Sequence, residues 1–270
     1  MVPRRALKLI LGMLLATMSL AVWSAAQSAG GHRRWSTYEP EMQNPMEDPP
    51  DTYEQTEFAF ARLRYRSYRD RFYARWAIDS NRAERHLSQA VRRLTRIHTR
   101  SVEQIVDIDS DEVYEWPWLY AVSVGDWVLS DSQVARLRDY FDRGGFLVVD
   151  DFHGESEWAS FAAGISRILP NGSLVELKDD DPIFHVLYDL DERFQIPGFN
   201  VVNGVGYERD GVVPHWRGIV DEKGRIQVMI CFNSDLGDAW EWADHPEYPE
   251  RFASLAHRMG INYILYSMTH

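Results

Sequence analysis

The 270-residue chain sets 41 acidic against 29 basic side chains, a formal charge of −12, and holds a single cysteine, Cys231. That acidity repels nucleic-acid phosphate and anionic lipid and argues against both as primary partners, while one cysteine excludes an internal disulfide. Stability therefore has to come from a packed core, for which a chain of this length and 45 % hydrophobic content is sufficient.

Arg4, Arg5 and Lys8 precede an apolar run over 9–23, and Ser24-Ala25-Ala26 offers small residues for cleavage. This is the pattern of a secretory signal peptide over 1–26. The run falls short of the ~20 residues that a membrane-spanning helix needs. The expectation is an exported protein, periplasmic or otherwise extracytoplasmic. An uncleaved signal is the alternative, and would leave the chain anchored to the membrane by its N-terminus alone. Cleavage after Ala26 would remove three cations and no acid, taking the charge from −12 to −15. Residues 27–56 contain Pro40, Pro45, Pro49 and Pro50 without a hydrophobic period, which reads as a disordered linker. Residues 57–270 then form one domain.

Within that domain, 57–65 alternates at Phe58, Phe60 and Leu63 and is predicted as a strand. Trp76-Ala77-Ile78-Asp79 leads to a helix whose entry signal is Asn81 with Glu84 three residues on. Its stripe of Ala83, Leu87, Ala90, Val91, Leu94 and Ile97 predicts one buried face. An apolar run over 119–124 suits an inner strand. Ser130 and Gln133 form a capping box for a helix carrying Val134, Leu137 and Phe141, which stops at Gly144-Gly145. Phe146-Leu147-Val148-Val149 is apolar at every position, as a strand covered on both faces must be. After Asp150-Asp151 a further helix shows Trp158, Phe161, Ala162, Ile165 and Ile168 before Pro170. Segments 216–220 and 225–232 pair as a hairpin over 221–224, and a last helix starts at Pro249 with Phe252, Leu255 and Met259 inward. Strands alternating with helices imply a parallel sheet flanked by helices.

The segments Phe60-Ala61-Arg62-Leu63-Arg64-Tyr65, Trp76-Ala77-Ile78-Asp79, Gly144-Gly145-Phe146-Leu147-Val148-Val149-Asp150-Asp151, Asp181-Pro182-Ile183-Phe184, Gly237-Asp238-Ala239-Trp240-Glu241 and Gly260-Ile261-Asn262 together resemble an uncharacterised bacterial family, domain of unknown function 4159. The resemblance runs through essentially the whole domain. It implies an α/β fold similar to the class I glutamine-amidotransferase-like group: a flavodoxin-like three-layer sandwich with a mainly parallel sheet. It carries no activity with it. Genes of the family are often found beside those of MoxR-type ATPases and von Willebrand A-type proteins, which implies a setting in envelope assemblies. Amidotransferases of that fold group use a cysteine on a glycine-flanked elbow. Cys231 ends an apolar strand, Met229-Ile230-Cys231-Phe232, with no such glycines, so it reads as a buried structural residue.

Ligands of open α/β sheets bind beyond the carboxyl ends of the strands, near the switch point. Asp150, Asp151 and His153 lie just past the clearest inner strand and are the candidate catalytic group. Asp79, Asp238, Trp240 and Glu241 extend the candidate ligand site into an acidic pocket with an aromatic wall, provided chain geometry brings them together. Each has a bland counterpart, with Asp79, Asp151 or Ser156 capping a helix and Trp240 packing in the core. No tight His/Cys spacing predicts a metal site, and no cofactor is expected. Twelve arginines against three acids between Arg62 and Arg100 make a second feature. Arg66, Arg69, Arg71 and Arg75, interleaved with aromatic residues, are candidates for contact with an envelope protein, or else a basic face that pairs with acids of its own fold. The leading expectation is a binding or scaffold module of the cell envelope without amidotransferase activity. The rival is a hydrolase, metal-assisted or not, acting on an envelope carbohydrate or peptide-like substrate through Asp150, Asp151 and His153.

Overall fold

A computed structural model describes residues 50–69 and 74–270. The signal segment 1–26, most of the linker and Arg71 lie outside the described residues. Seven strands form one sheet in the order β2-β1-β3-β4-β7-β6-β5. They are β1 (Ala61–Arg64), β2 (Gln104–Asp107), β3 (Trp118–Val122), β4 (Phe146–Asp150), β5 (Ser173–Glu176), β6 (His215–Val220) and β7 (Ile226–Phe232). The first five positions, β2 to β7, are parallel throughout, whereas β6 and β5 add on antiparallel. The parallel part has the doubly wound order, with its switch point between β1 and β3.

Helices α1 (Arg82–Leu94), α2 (Asp131–Asp142), α3 (Gly154–Ile168), α4 (Phe199–Val202), α5 (Leu236–Glu241) and α6 (Glu250–Thr269) complete the layers. Side chains alternate across each strand, so Trp118, Tyr120, Phe146, Val148, Met229 and Cys231 pack with α1, α5 and α6 on one face. Leu119, Ala121, Leu147, Val149, Val228 and Ile230 pack with α2 and α3 on the other. The fold is thus an α/β three-layer sandwich. Both covered faces explain why β3, β4 and β7 are buried at every position.

The capping box of Ser130 and Gln133 forms in full at the start of α2. The one expected at Asn81 and Glu84 does not, since Asn81 makes no side-chain cap bond. Glu84 is instead buried and paired with Arg62 of β1, a tertiary demand that outweighs the local cap. Leu94, counted with the buried stripe of α1, is exposed. Strands β2 and β5 had no sequence signal, being short edge strands with mixed faces. No helix among the described residues is long and apolar enough to cross a membrane.

Candidate functional site

The three central parallel strands each end in a non-glycine residue of left-handed backbone: Ser123 after β3 (φ 55°), Asp151 after β4 (φ 49°) and Asn233 after β7 (φ 61°). Asp79, before α1, has φ 63°. Such conformations cost about 1 kcal/mol or more each and persist where surrounding contacts impose them. Here they turn polar side chains into the carboxyl edge of the sheet.

Asp150, the last residue of β4, faces α5. Its Oδ2 accepts from the Tyr120 hydroxyl (2.9 Å) and from the backbone N–H groups of Leu236 (2.8 Å) and Gly237 (2.9 Å). Its Oδ1 is buried without a hydrogen bond among the described residues. Burial pushes the carboxyl up to about 7, with the Asp151 charge adding to the rise and the Gly237 N–H and Tyr120 hydroxyl opposing it. Asp151 turns the other way. The Ser123 hydroxyl donates to its Oδ2 (2.7 Å), and His153 Nε2 lies 3.2 Å from its Oδ1. Burial alone would raise Asp151, but His153, Arg75 and Ser123 outweigh it and hold the carboxyl below its ordinary range. For His153 burial works downward, and the bond and charge of Asp151 overcome it, so the imidazole is raised. His153 stands at the N-cap of α3 without capping it through its ring; its backbone N–H is taken by Glu157 (2.8 Å). Neither Asp151 nor Ser156 is a helix cap.

Asp79 does not cap α1 with its side chain either. Its carbonyl accepts from Ala83 N–H (3.1 Å) while its carboxyl enters the edge, with Oδ2 against the α-carbon face of Gly237 and without a hydrogen bond of its own among the described residues. Arg62 sets this position. Fully buried in β1, it pairs with Glu84, donates to the carbonyls of Trp76 (3.1 Å) and Ile78 (2.8 Å), and lies 5.1 Å over the Tyr120 ring. Asp79, Asp238 and Glu241 bring one oxygen each within 4.8 Å of one another. Asp79 is pushed well up, by burial first and then by the charges of Asp238 and Glu241.

Residues that sequence reasoning overlooked join these groups. Asp235 accepts from Asp238 N–H at 2.8 Å, and its carboxyl is raised by burial and by Asp238 and Asp151. Glu208, on the connection between α4 and β6, comes within 4.8 Å of Asp151 and His153. Gly198 marks where the two groups adjoin. A β-carbon there would lie 2.8 Å from Asp235 Oδ2, 3.0 Å from Asp238 Oδ2 and 3.0 Å from Glu208 Oε1. The polar residues Asn233-Ser234-Asp235, directly after an apolar strand, were a readable signal for Asp235. Glu208 sits in irregular sequence and had none.

Asp79, Asp150, Asp151, His153, Asp238 and Glu241 therefore meet on one edge. Trp240 belongs to the core instead: it is 0 % exposed, between Phe60 (6.1 Å) and Tyr120 (5.6 Å), and is no wall of an open pocket. Cys231 is buried as well, with a thiol that burial pushes far up, so it offers no thiolate nucleophile. The arginine-rich stretch is not one surface. Arg62 is buried, Arg69 (3.3 Å) and Arg75 (3.2 Å) pair with Asp126, Arg82 pairs with Asp244 and Arg85 with Glu103; Arg66 is exposed. Beside the acidic groups, a cavity of about 340 Å³ is lined by Trp158, His215, Arg217, Phe232 and Asn233. A larger one of about 900 Å³ lies at the opposite end of the strands, along Gly144 and 221–225.

The comparison with known families agrees with the motifs. Residues 59–268 match the model of Domain of unknown function (DUF4159). The chain belongs to this family. No curated protein matches it. The family motifs now have physical content. Its first segment supplies Arg62, its second the carbonyls that Arg62 holds, and the segments ending in Asp150-Asp151 and Glu241 supply the acids.

Proposed function

We propose that this family member is a ligand-binding module of the cell envelope, exported by its N-terminal signal, that receives a positively charged group at the carboxyl edge of its sheet. One observation carries the reading: carboxylates from four separate segments converge there, and burial and mutual repulsion raise Asp79, Asp150, Asp235 and Asp238 above their ordinary range. Buried acids that repel one another cost stability, which a bound cation would offset. The position fits the general rule for ligands of open α/β sheets.

The test is calorimetric titration of the purified chain with spermidine, glucosamine and a lysine peptide, beside the divalent cations Mg²⁺, Ca²⁺, Mn²⁺ and Zn²⁺. Binding of at least one probe, weakened by the double change Asp79→Asn and Asp238→Asn, is expected. Equal binding by both proteins, or none by either, overturns the reading.

A second reading, a hydrolase acting on an envelope carbohydrate or peptide-like substrate, draws on Asp150. The buried Asp150 carboxyl, held at about 7, and the His153 imidazole, raised by its bond to Asp151 on the same edge, supply an acid and a base. Turnover on an ester, phosphoester and glycoside panel, abolished by Asp150→Asn, would favour it over simple binding.

A further inference from the structure

We infer that the connection 203–213, between α4 and β6, is a lid over the acidic edge, latched onto α3 by Arg209 and Asp210, and that a cationic ligand enters when it lifts. This rests on the cation-binding reading above for the ligand and adds how the site is reached. Burial shows the need for a way in. Asp79, Asp150, Asp151, His153, Asp235 and Glu241 are all buried, so a ligand meets them only if part of the chain moves. The cavity of about 340 Å³ beside them is walled by Asp210, Val212 and Val213 of this same connection.

Three features make this connection the part that moves. First, it lies across the edge. Glu208 comes within 4.8 Å of Asp151 and His153, and Gly211 sits on Asn233 so closely that a β-carbon would stand 2.4 Å from Asn233 Oδ1. Second, no apolar side chain from 203 to 213 is buried: Val205, Val212 and Val213 are exposed and Tyr207 is half-buried. A segment with no share in the core opens locally at little cost, because lifting it leaves the packed layers intact. Third, polar contacts at the rim hold it down. Arg209 pairs with Glu157 (2.6 Å), and Asp210 Oδ2 accepts from the Glu155 N–H (3.3 Å). The side-chain amides of Gln195 and Asn233 donate to the carbonyls of Gly211 and Val213, both at 2.7 Å. Gly154 makes room for the Asp210 latch, since a β-carbon there would lie 1.8 Å from Asp210 Oδ1. Arg209 itself is held at φ 54°, a left-handed conformation that side chains of its size avoid, so release of its ion pair also frees the backbone.

Carboxyl footprinting of the full chain tests the lid without any ligand. A carbodiimide with glycine ethyl ester modifies the acids it can reach, and peptide mass spectrometry reads the rates at Asp151 and Asp235, which follow the fraction of open molecules. Arg209→Gln changes a side chain that is 39 % exposed, so its circular dichroism should match the parent. Both acids should react about fivefold faster in it, the effect of losing one favourable ion pair near the surface. Arg143→Gln, which breaks an exposed pair with Asp139 (2.9 Å) just beyond α2, should leave both rates as in the parent. Equal rates in the parent and Arg209→Gln overturn the lid, and so does equal acceleration by Arg143→Gln. Since no ligand takes part, that failure leaves the cation-binding reading to its own titration. Acceleration in Arg209→Gln alone, with no cationic probe bound, would keep the lid and remove that reading.

Discussion

Replacing Asp150 by asparagine should change the pH dependence of stability in a way that few single substitutions can. The carboxyl is fully buried and held at about 7 against an ordinary 3.8. The folded state therefore keeps a proton that the unfolded state has released between about pH 4 and pH 7. Over that window the unfolded chain binds fewer protons, so this group makes stability fall as pH rises. At ~1.4 kcal/mol per pH unit, the full loss is about 4 kcal/mol by pH 8. Asparagine can present its oxygen to Tyr120, Leu236 and Gly237, as Oδ2 does now. Its amide nitrogen then takes the place of Oδ1, which has no partner among the described residues, at a cost of about 1–3 kcal/mol at every pH. The variant should accordingly be less stable than the parent by about 1–3 kcal/mol at pH 4 and more stable by a similar amount at pH 8. Urea unfolding followed by tryptophan fluorescence at several pH values measures this directly. A stability difference that stays flat from pH 4 to pH 8 would refute the account of Asp150 as a buried, neutral-leaning carboxyl.

Two further outcomes follow from the supporting contacts. Glu84→Gln leaves the Arg62 charge buried without its counter-ion and should cost about 3–5 kcal/mol, whereas Arg62→Met combined with Glu84→Leu should cost less than either single change; denaturant midpoints decide, and a single-variant loss below about 1 kcal/mol contradicts the pairing. Gly198→Ala, at a backbone of φ −62° and ψ 156° that alanine adopts freely, places a methyl within 3.0 Å of the oxygens of Asp235, Asp238 and Glu208. Folding should persist while affinity for a cationic probe such as spermidine falls by more than about tenfold, as titration of the parent and variant would show; unchanged affinity would mean that the carboxylates have room to spare.

The sequence by itself determined the layered α/β fold, because its signals are local and periodic. The uniformly apolar 146–149 could only be an inner strand, Ser130 and Gln133 could cap their helix from within four residues, and 216–232 could close as a hairpin over a short turn. It also placed Asp150, Asp151 and His153 at the end of a strand, where ligands of such sheets bind. Tertiary structure decided which acids share one edge. Asp79 arrives there because Arg62 holds the carbonyls of Trp76 and Ile78, a contact across 14 to 16 residues that no period encodes. It removed Trp240 to the core, where burial against Phe60 and Tyr120 outweighs any use as a binding wall. It spent Glu84 on an ion pair rather than a helix cap. And it brought Glu208, from irregular chain without a local signal, up to His153: hydrophobic pattern is written along the chain, whereas the meeting of charges is settled only when distant segments pack.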